Sequence, residues 1–199
     1  MISNKMQKLS SRRTDATMKA AYTFDEAYDK IQEDETIKYV VGTMQPIDKE
    51  YTQKTFDEGD RIKDQLNSQL NTWTEQAEFR YQGSVSNDTH IKVHSDLDLL
   101  VIDQDFVSLE PPAIPVIPYS GNSLTELNVL RARCAAIIRN AFPAVKVDDS
   151  PGKCIALSGG SLRREIDVVI ANWWDTTEYR TYGYEFFRGV KILDSSENI

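Results

Sequence analysis

An α+β fold, with a mixed or antiparallel sheet and flanking helices, is what this sequence predicts, and three observations carry the prediction. Ala77, Phe79 and Tyr81 alternate with Glu78, Arg80 and Gln82, the period of two that marks a half-buried strand. Two apolar runs, 99–102 and 168–170, are each introduced by acids and have the length of buried strands. Across 47–73 and 123–141 the apolar residues recur at helical spacing instead.

Taken in order, residues 1–15 are polar. From about Ala16 to Tyr39, the spacing of Ala20, Phe24, Ala27, Tyr28 and Ile31 predicts one helix or two short ones with a solvated acidic face. Val40-Val41-Gly42 ends it and Pro46 marks a connection, which separates an N-terminal helical segment, 1–45, from a main domain, 46–199. The clearest helix runs from about Asp48 to Asn71, with Ile47, Tyr51, Thr55, Ile62, Leu66, Leu70 and Trp73 on one stripe and Gly59 as a gap in it. The strand at 77–82 stops at Gly83-Ser84. Asp96-Leu97-Asp98 opens the next strand, and Asp103-Gln104-Asp105 reads as exposed acids at its end. Four prolines between Glu110 and Asn122 exclude a helix or central strand and leave an ordered loop.

Ser123-Leu124-Thr125-Glu126 reads as a capping box. The helix it opens buries Leu127, Leu130, Cys134, Ile137, Ile138 and Ala141 and ends before Pro143. Three short strands follow, 145–147, 153–157 and 163–170, with turns at Pro151-Gly152 and Gly159-Gly160 that make them antiparallel neighbours. Beyond Asn172 the chain turns aromatic.

Length and charge exclude several classes. With 199 residues and 40% hydrophobic content the chain can bury a proper core. Its 23 basic and 31 acidic residues give a net charge of −8, the wrong sign for gripping long nucleic acid through its phosphates. Small nucleotides suit it better. No apolar run approaches the roughly 20 residues that span a bilayer, so no membrane partner is expected. The basic N-terminus lacks the apolar core of a signal peptide. Cys134 and Cys154 sit in apolar segments and read as free thiols. A cytoplasmic location is the expectation.

The chemistry concentrates in three places. Gly83 lets the backbone approach a ligand closely, and Ser84 puts a hydroxyl beside it. If Asp96-Leu97-Asp98 is extended, its two carboxylates share a face with Cα atoms roughly 6.6 Å apart. Both stay ionised cheaply only if a cation sits between them. Asp167 is the third acid, set among β-branched residues. His90 and His94 alternate with Ile91 and Val93, a strand-like pattern that holds the rings too far apart for one zinc ion. Lys153, Arg163 and Arg164 neighbour the third acid and could face phosphate or simply be surface cations. Tyr182 and Tyr184 could stack on a base, or belong to a core or interface.

Gly-Ser, then Asp-x-Asp at a strand start, then a lone Asp on a later strand resembles the nucleotidyltransferase superfamily typified by polymerase beta. Within it, QGSVSNDTHIKVHSDLDLLVI is most similar to the bacterial CD-NTases, second-messenger synthases related to cyclic GMP-AMP synthase, over about residues 50–193. The resemblance implies Mg²⁺ or Mn²⁺ held by Asp96, Asp98 and Asp167, with Asp167 also accepting the proton of the attacking hydroxyl. It implies Gly83 and Ser84 on the triphosphate of a nucleoside triphosphate, and pyrophosphate released. The product it implies is a cyclic or linear oligonucleotide signal in anti-phage defence, with an effector or regulatory protein as a further partner class. Asn87-Asp88-Thr89 departs from the Gly-Thr or basic residue common in the family. Members usually continue into a helical C-terminal domain, and the sequence after GVKILDSSENI leaves that domain absent or truncated. Two other readings stand beside this one: a toxin–antitoxin or antibiotic-type transferase that adenylylates a protein or small molecule, and a non-catalytic nucleotide-binding module.

Overall fold

A computed structural model describes residues 34, 47, 49–70, 76–87, 89 and 96–196. The chain divides into two compact units, Met1–Lys49 and Glu50–Ile199, and nearly all the described residues belong to the second. The helix expected between Ala16 and Tyr39 lies outside the described residues, as do His90 and His94.

Helix α1 spans Lys49–Leu70 without a break and buries Thr55, Gly59, Ile62, Leu66 and Leu70, the expected stripe. Gly59 is no gap in it. A Cβ there would strike Leu97 and come within 2.8 Å of the Tyr81 hydroxyl, so the glycine is what lets the helix lie close on the sheet. Strand β1, Ala77–Gln82, leads into the single helical turn α2, Gly83–Ser86. Strand β2, Leu97–Leu109, runs on past Asp103, where a bulge shifts its register before Val107. Residues 110–122 form an irregular loop, as their prolines require. Helix α3 is Ser123–Ala141, and strands β3 and β4 are Lys146–Asp148 and Ile155–Ser158. Strand β5, Ile166–Asp175, continues through both tryptophans, further than its β-branched run indicated. Helix α4, Thr177–Tyr182, a 3₁₀ turn at Glu185–Phe187 and strand β6, Arg188–Ile192, complete the unit.

The strands form one mixed sheet in the order β1-β2-β5-β4-β3, with β6 paired to the far half of β5. The β2–β5 pair is parallel and the other pairs are antiparallel. Because side chains alternate along a strand, the sheet has two unlike faces. One carries Leu97, Leu99, Val101, Ile166, Val168 and Ile170, which join α1 and α3 in the main core. The other carries Asp98, Leu100 and Ile102 on β2 with Asp167, Val169 and Trp173 on β5, and its apolar members form a smaller separate cluster.

Two local expectations need correction. The N-cap of α3 is Asn122, whose side chain accepts from Thr125 N at 3.0 Å, so Ser123 is already the first helical residue. Asn and Ser both cap well, and here it is Asn122 that accepts the bond from the third helical residue. Asp103 is not an exposed strand end. It is 7% exposed, and its Oδ1 accepts from Asp105 N at 2.7 Å, fixing the bulge. Among the described residues no helix is long and apolar enough to cross a membrane.

Candidate active site

Register brings the predicted acids together. Asp98 stands opposite Gln82 on one side and opposite Asp167 on the other. Gln82, Asp98 and Asp167 therefore form one row across three strands, their side chains on the face that α1 and α3 leave uncovered. Asp96 lies two residues before Asp98, and the bond from Leu97 N to Glu165 O at 3.2 Å keeps that entry aligned with β5. By the same parity Asp103 falls on the helix-covered face, away from this row. The second Asp-x-Asp is thus separated from the first by the sheet itself.

Gly83 follows immediately at the end of β1, with φ of +84°. A Cβ at this position would collide with Asp98 Oδ2. The position demands glycine twice, for the left-handed backbone and for the close approach to the carboxylate. The turn it opens is tied internally: Ser86 Oγ donates to Gly83 O at 3.0 Å, and Thr89 N donates to Ser84 O at 2.9 Å. Ser84 is partly exposed beside the acid row.

Burial pushes the Asp98 carboxyl above its ordinary range, and the charges of Asp167 and Asp96 push it further. Asp96 is raised by burial and then by Glu165 and Asp167, with Arg164 acting in the opposite direction. The acids form a cluster of negative charge that Arg164 offsets at Asp96, with no cation acting on Asp98. Of the three cations near β5, Lys153 faces Asp194 at 3.7 Å and Arg163 faces Glu58 at 3.8 Å, so both serve the surrounding structure. Arg164 stays close to the acids, its guanidinium 4.0 Å from the centroid of the Tyr51 ring on α1.

Sequence reading did not foresee two supporting residues. Arg131 on α3 is 6% exposed and donates to the carbonyls of Asp149, Pro151 and Cys154 at 2.9, 2.6 and 2.8 Å. It anchors the segment that enters β4, where Ala156 stands opposite Asp167. Cys154 lies beside Asp167, and burial with that neighbouring charge pushes its thiol up to about 11. An arginine at a core position of a helical stripe was the available signal for the first. Nothing in the spacing pointed to the second.

The donor set suits a hard divalent cation: carboxylates from two neighbouring strands and from the residue leading into one of them, short of positive partners. Among the described residues no group of three or more His, Cys, Asp or Glu side chains is arranged to hold an ion as it stands. The fit is thus one of backbone register and donor chemistry, and the carboxylates would have to turn inward together.

Comparison with known proteins agrees with this architecture. The chain is 40% identical over 164 residues to a cyclic dinucleotide synthase, CdnE, of Yersinia aleksiciae, covering 82% of this chain and 42% of that protein. It is 30% identical over 186 residues to a c-di-GMP synthase of a Lachnospiraceae bacterium, covering 81% and 52%. The solved structure of a STING-associated CdnE c-di-GMP synthase from Capnocytophaga granulosa matches with a TM-score of 0.66 at 24% identity, over 98% of this chain and 57% of that one. A second such synthase, from Flavobacteriaceae sp., matches with a TM-score of 0.66 at 18% identity, over 83% and 51%. No protein-family model matches the chain. The fold is that of the polymerase-beta-like nucleotidyltransferases. Over about four fifths of its length the chain is similar in sequence to these CD-NTase synthases. It spans about half the length of the curated relatives it matches.

Proposed function

We propose that this chain carries the catalytic half of a metal-dependent nucleotidyltransferase that joins nucleoside triphosphates into a cyclic or linear oligonucleotide signal, releasing pyrophosphate. The observation that carries the reading is the row across the sheet: Asp98 and Asp167 in register on parallel neighbours, with Gly83 packed on Asp98. The named activities of the relatives support it. An anti-phage setting, a cytoplasmic location, a regulatory protein partner and the boundary between 1–45 and 46–199 belong to the same proposal.

Asp96, Asp98 and Asp167 would hold the divalent ions, Mg²⁺ or Mn²⁺, which when bound neutralise phosphate charge and lower the energy of the attacking and leaving oxygens. The chain's own residues supply position. Gly83 lets the backbone of α2 come against the phosphates, and the Ser84 hydroxyl replaces a lost water on them. Asp167, on the central strand of the sheet, takes the proton from the attacking hydroxyl. The shared row fixes these groups on one rigid platform, which is most of what phosphoryl transfer asks of a protein.

The test is incubation of the chain with labelled nucleoside triphosphates and Mg²⁺ or Mn²⁺, without acceptor. Oligonucleotide products with pyrophosphate release are expected. Labelling that requires an added protein or small molecule would instead make the chain an adenylylating transferase. Nucleotide binding with no transfer under either condition would make it a non-catalytic module.

A further inference from the structure

Two exposed apolar surfaces spring from one junction at the end of β5. The loop 110–122 leaves β2 at Glu110, whose N–H donates to Asp175 O at 3.0 Å and whose Oε2 accepts from Thr177 N at 2.8 Å. Thr176, between those two partners, donates through its hydroxyl to Phe187 O at 2.7 Å. The proline-rich loop and the aromatic segment 182–187 are thereby rooted side by side.

Neither surface is covered. In the loop Ile114, Val116 and Ile117 are 81%, 99% and 87% exposed. In the aromatic segment Tyr182, Tyr184 and Phe186 are exposed as well, and these six make up most of the exposed large apolar side chains among the described residues. The rings form a ledge: Tyr184 lies on Phe186 with centroids 5.5 Å apart and planes at 10°, while Phe187 meets Phe186 at 4.2 Å and Tyr182 at 6.0 Å. The loop does not turn back onto this ledge. Its far end is held by Tyr119, which stacks on Phe106 of the main core at 5.0 Å, and the chain then enters α3.

Chemistry restricts what can cover them. Pro111 and Pro115 fall on one parity of an extended chain and Pro112 and Pro118 on the other, so neither edge of the loop offers the row of N–H groups that strand addition needs. Contact through side chains remains, and aromatic surfaces are what proline-rich segments dock on. The chain's net charge of −8 makes two copies repel, yet no charged residue stands between Pro111 and Thr125. An uncharged arm is the part of such a molecule that can approach a second copy, and the ledge supplies the aromatic surface. We propose that this chain self-associates as a two-fold dimer in which the 111–118 arm of each copy seats on the Tyr182–Phe187 ledge of the other. Because the two surfaces share one root, arm meets ledge and ledge meets arm, the reciprocity a closed two-fold contact requires.

Sedimentation equilibrium of the full chain should show monomer and dimer with a Kd on the order of 10 μM, within the range of small reversible interfaces. Val116→Ser with Ile117→Ser should leave only monomer, and so should Tyr184→Ser with Phe186→Ser. All four side chains are on the surface, so both variants should melt with wild type. Cross-linking then tests the seating itself. Ile117→Cys chains mixed with Phe186→Cys chains under oxidised glutathione should form a disulfide-linked dimer about tenfold faster than either variant alone. Wild-type chain that stays monomeric up to about 100 μM would overturn the proposal and assign both surfaces to a different partner. A dimer that survives either double Ser variant would overturn it too, as would cross-linking of each Cys variant with itself as fast as in the mixture.

Discussion

The two faces of the sheet obey different rules. On the helix-covered face Leu97, Leu99 and Val101 of β2 and Ile166, Val168 and Ile170 of β5 are all at 0% exposure, packed with α1 and α3 in the main core. On the opposite face the same two strands carry Asp98 and Asp167 side by side, followed by a small apolar patch. The first arrangement stabilises the fold through burial. The second works against it, because the clustered carboxylates repel one another and are partly withdrawn from water. A sheet that spends one face on stability can hold an unfavourable charge cluster rigidly on the other. That is the condition a preorganised phosphoryl-transfer site requires.

The contrast is broken most severely by Asp96→Asn with Asp98→Asn. Nucleotidyl transfer should vanish, while the metal-free protein should be no less stable than wild type in a denaturant titration. Retained transfer would remove these acids from the chemistry. On the other face, Leu66→Ala, at a position with 0% exposure, should cost about 2–5 kcal/mol of stability. Protein that remains folded should keep its turnover per molecule, measured below the unfolding transition. Gly83→Ala should lower turnover about hundredfold, because the added methyl displaces Asp98 from its row, and kinetic assays at saturating nucleotide would read it. The smallest kinetic change belongs to Asp103→Asn with Asp105→Asn: less than about tenfold in rate, or about 1.4 kcal/mol in the barrier. A loss matching that of the first acid pair would mean the two faces are not separate.

Much of this asymmetry was legible in the sequence, where period arguments are strongest. The stripe on α1, the alternation of β1 and the acids heading two apolar runs placed the helix, the strands and the acid row. Asp103 was misread because an apolar run followed by acids looks like a strand end. The bulge that buries Asp103 depends on its own side chain bonding Asp105 N, a contact without periodicity. Asn122 displaced Ser123 as the cap because two good caps stood next to each other, and local geometry chose between them. Arg131 escaped notice because its partners are backbone carbonyls about twenty residues away, to which side-chain patterns are blind. The role of Gly59 was missed for a similar reason: its neighbours Leu97 and Tyr81 come from strands the helix meets only on folding.

The central claim is that the acid row is kept at a cost to the fold, and its most direct test is the thermal midpoint of Asp98→Asn against wild type across pH, without divalent ions. Burial and neighbouring acids hold the Asp98 carboxyl above its ordinary 3.8 in the folded chain. Stability tied to that group is therefore fully present below about pH 3.8 and is lost as pH rises through the raised value. Asparagine does not titrate. The variant and wild type should melt together in acid, and the variant should melt higher once the pH has passed that window and remain so at pH 7. A variant that melts lower than wild type at pH 7 would show that Asp98 stabilises the fold, and would contradict the account.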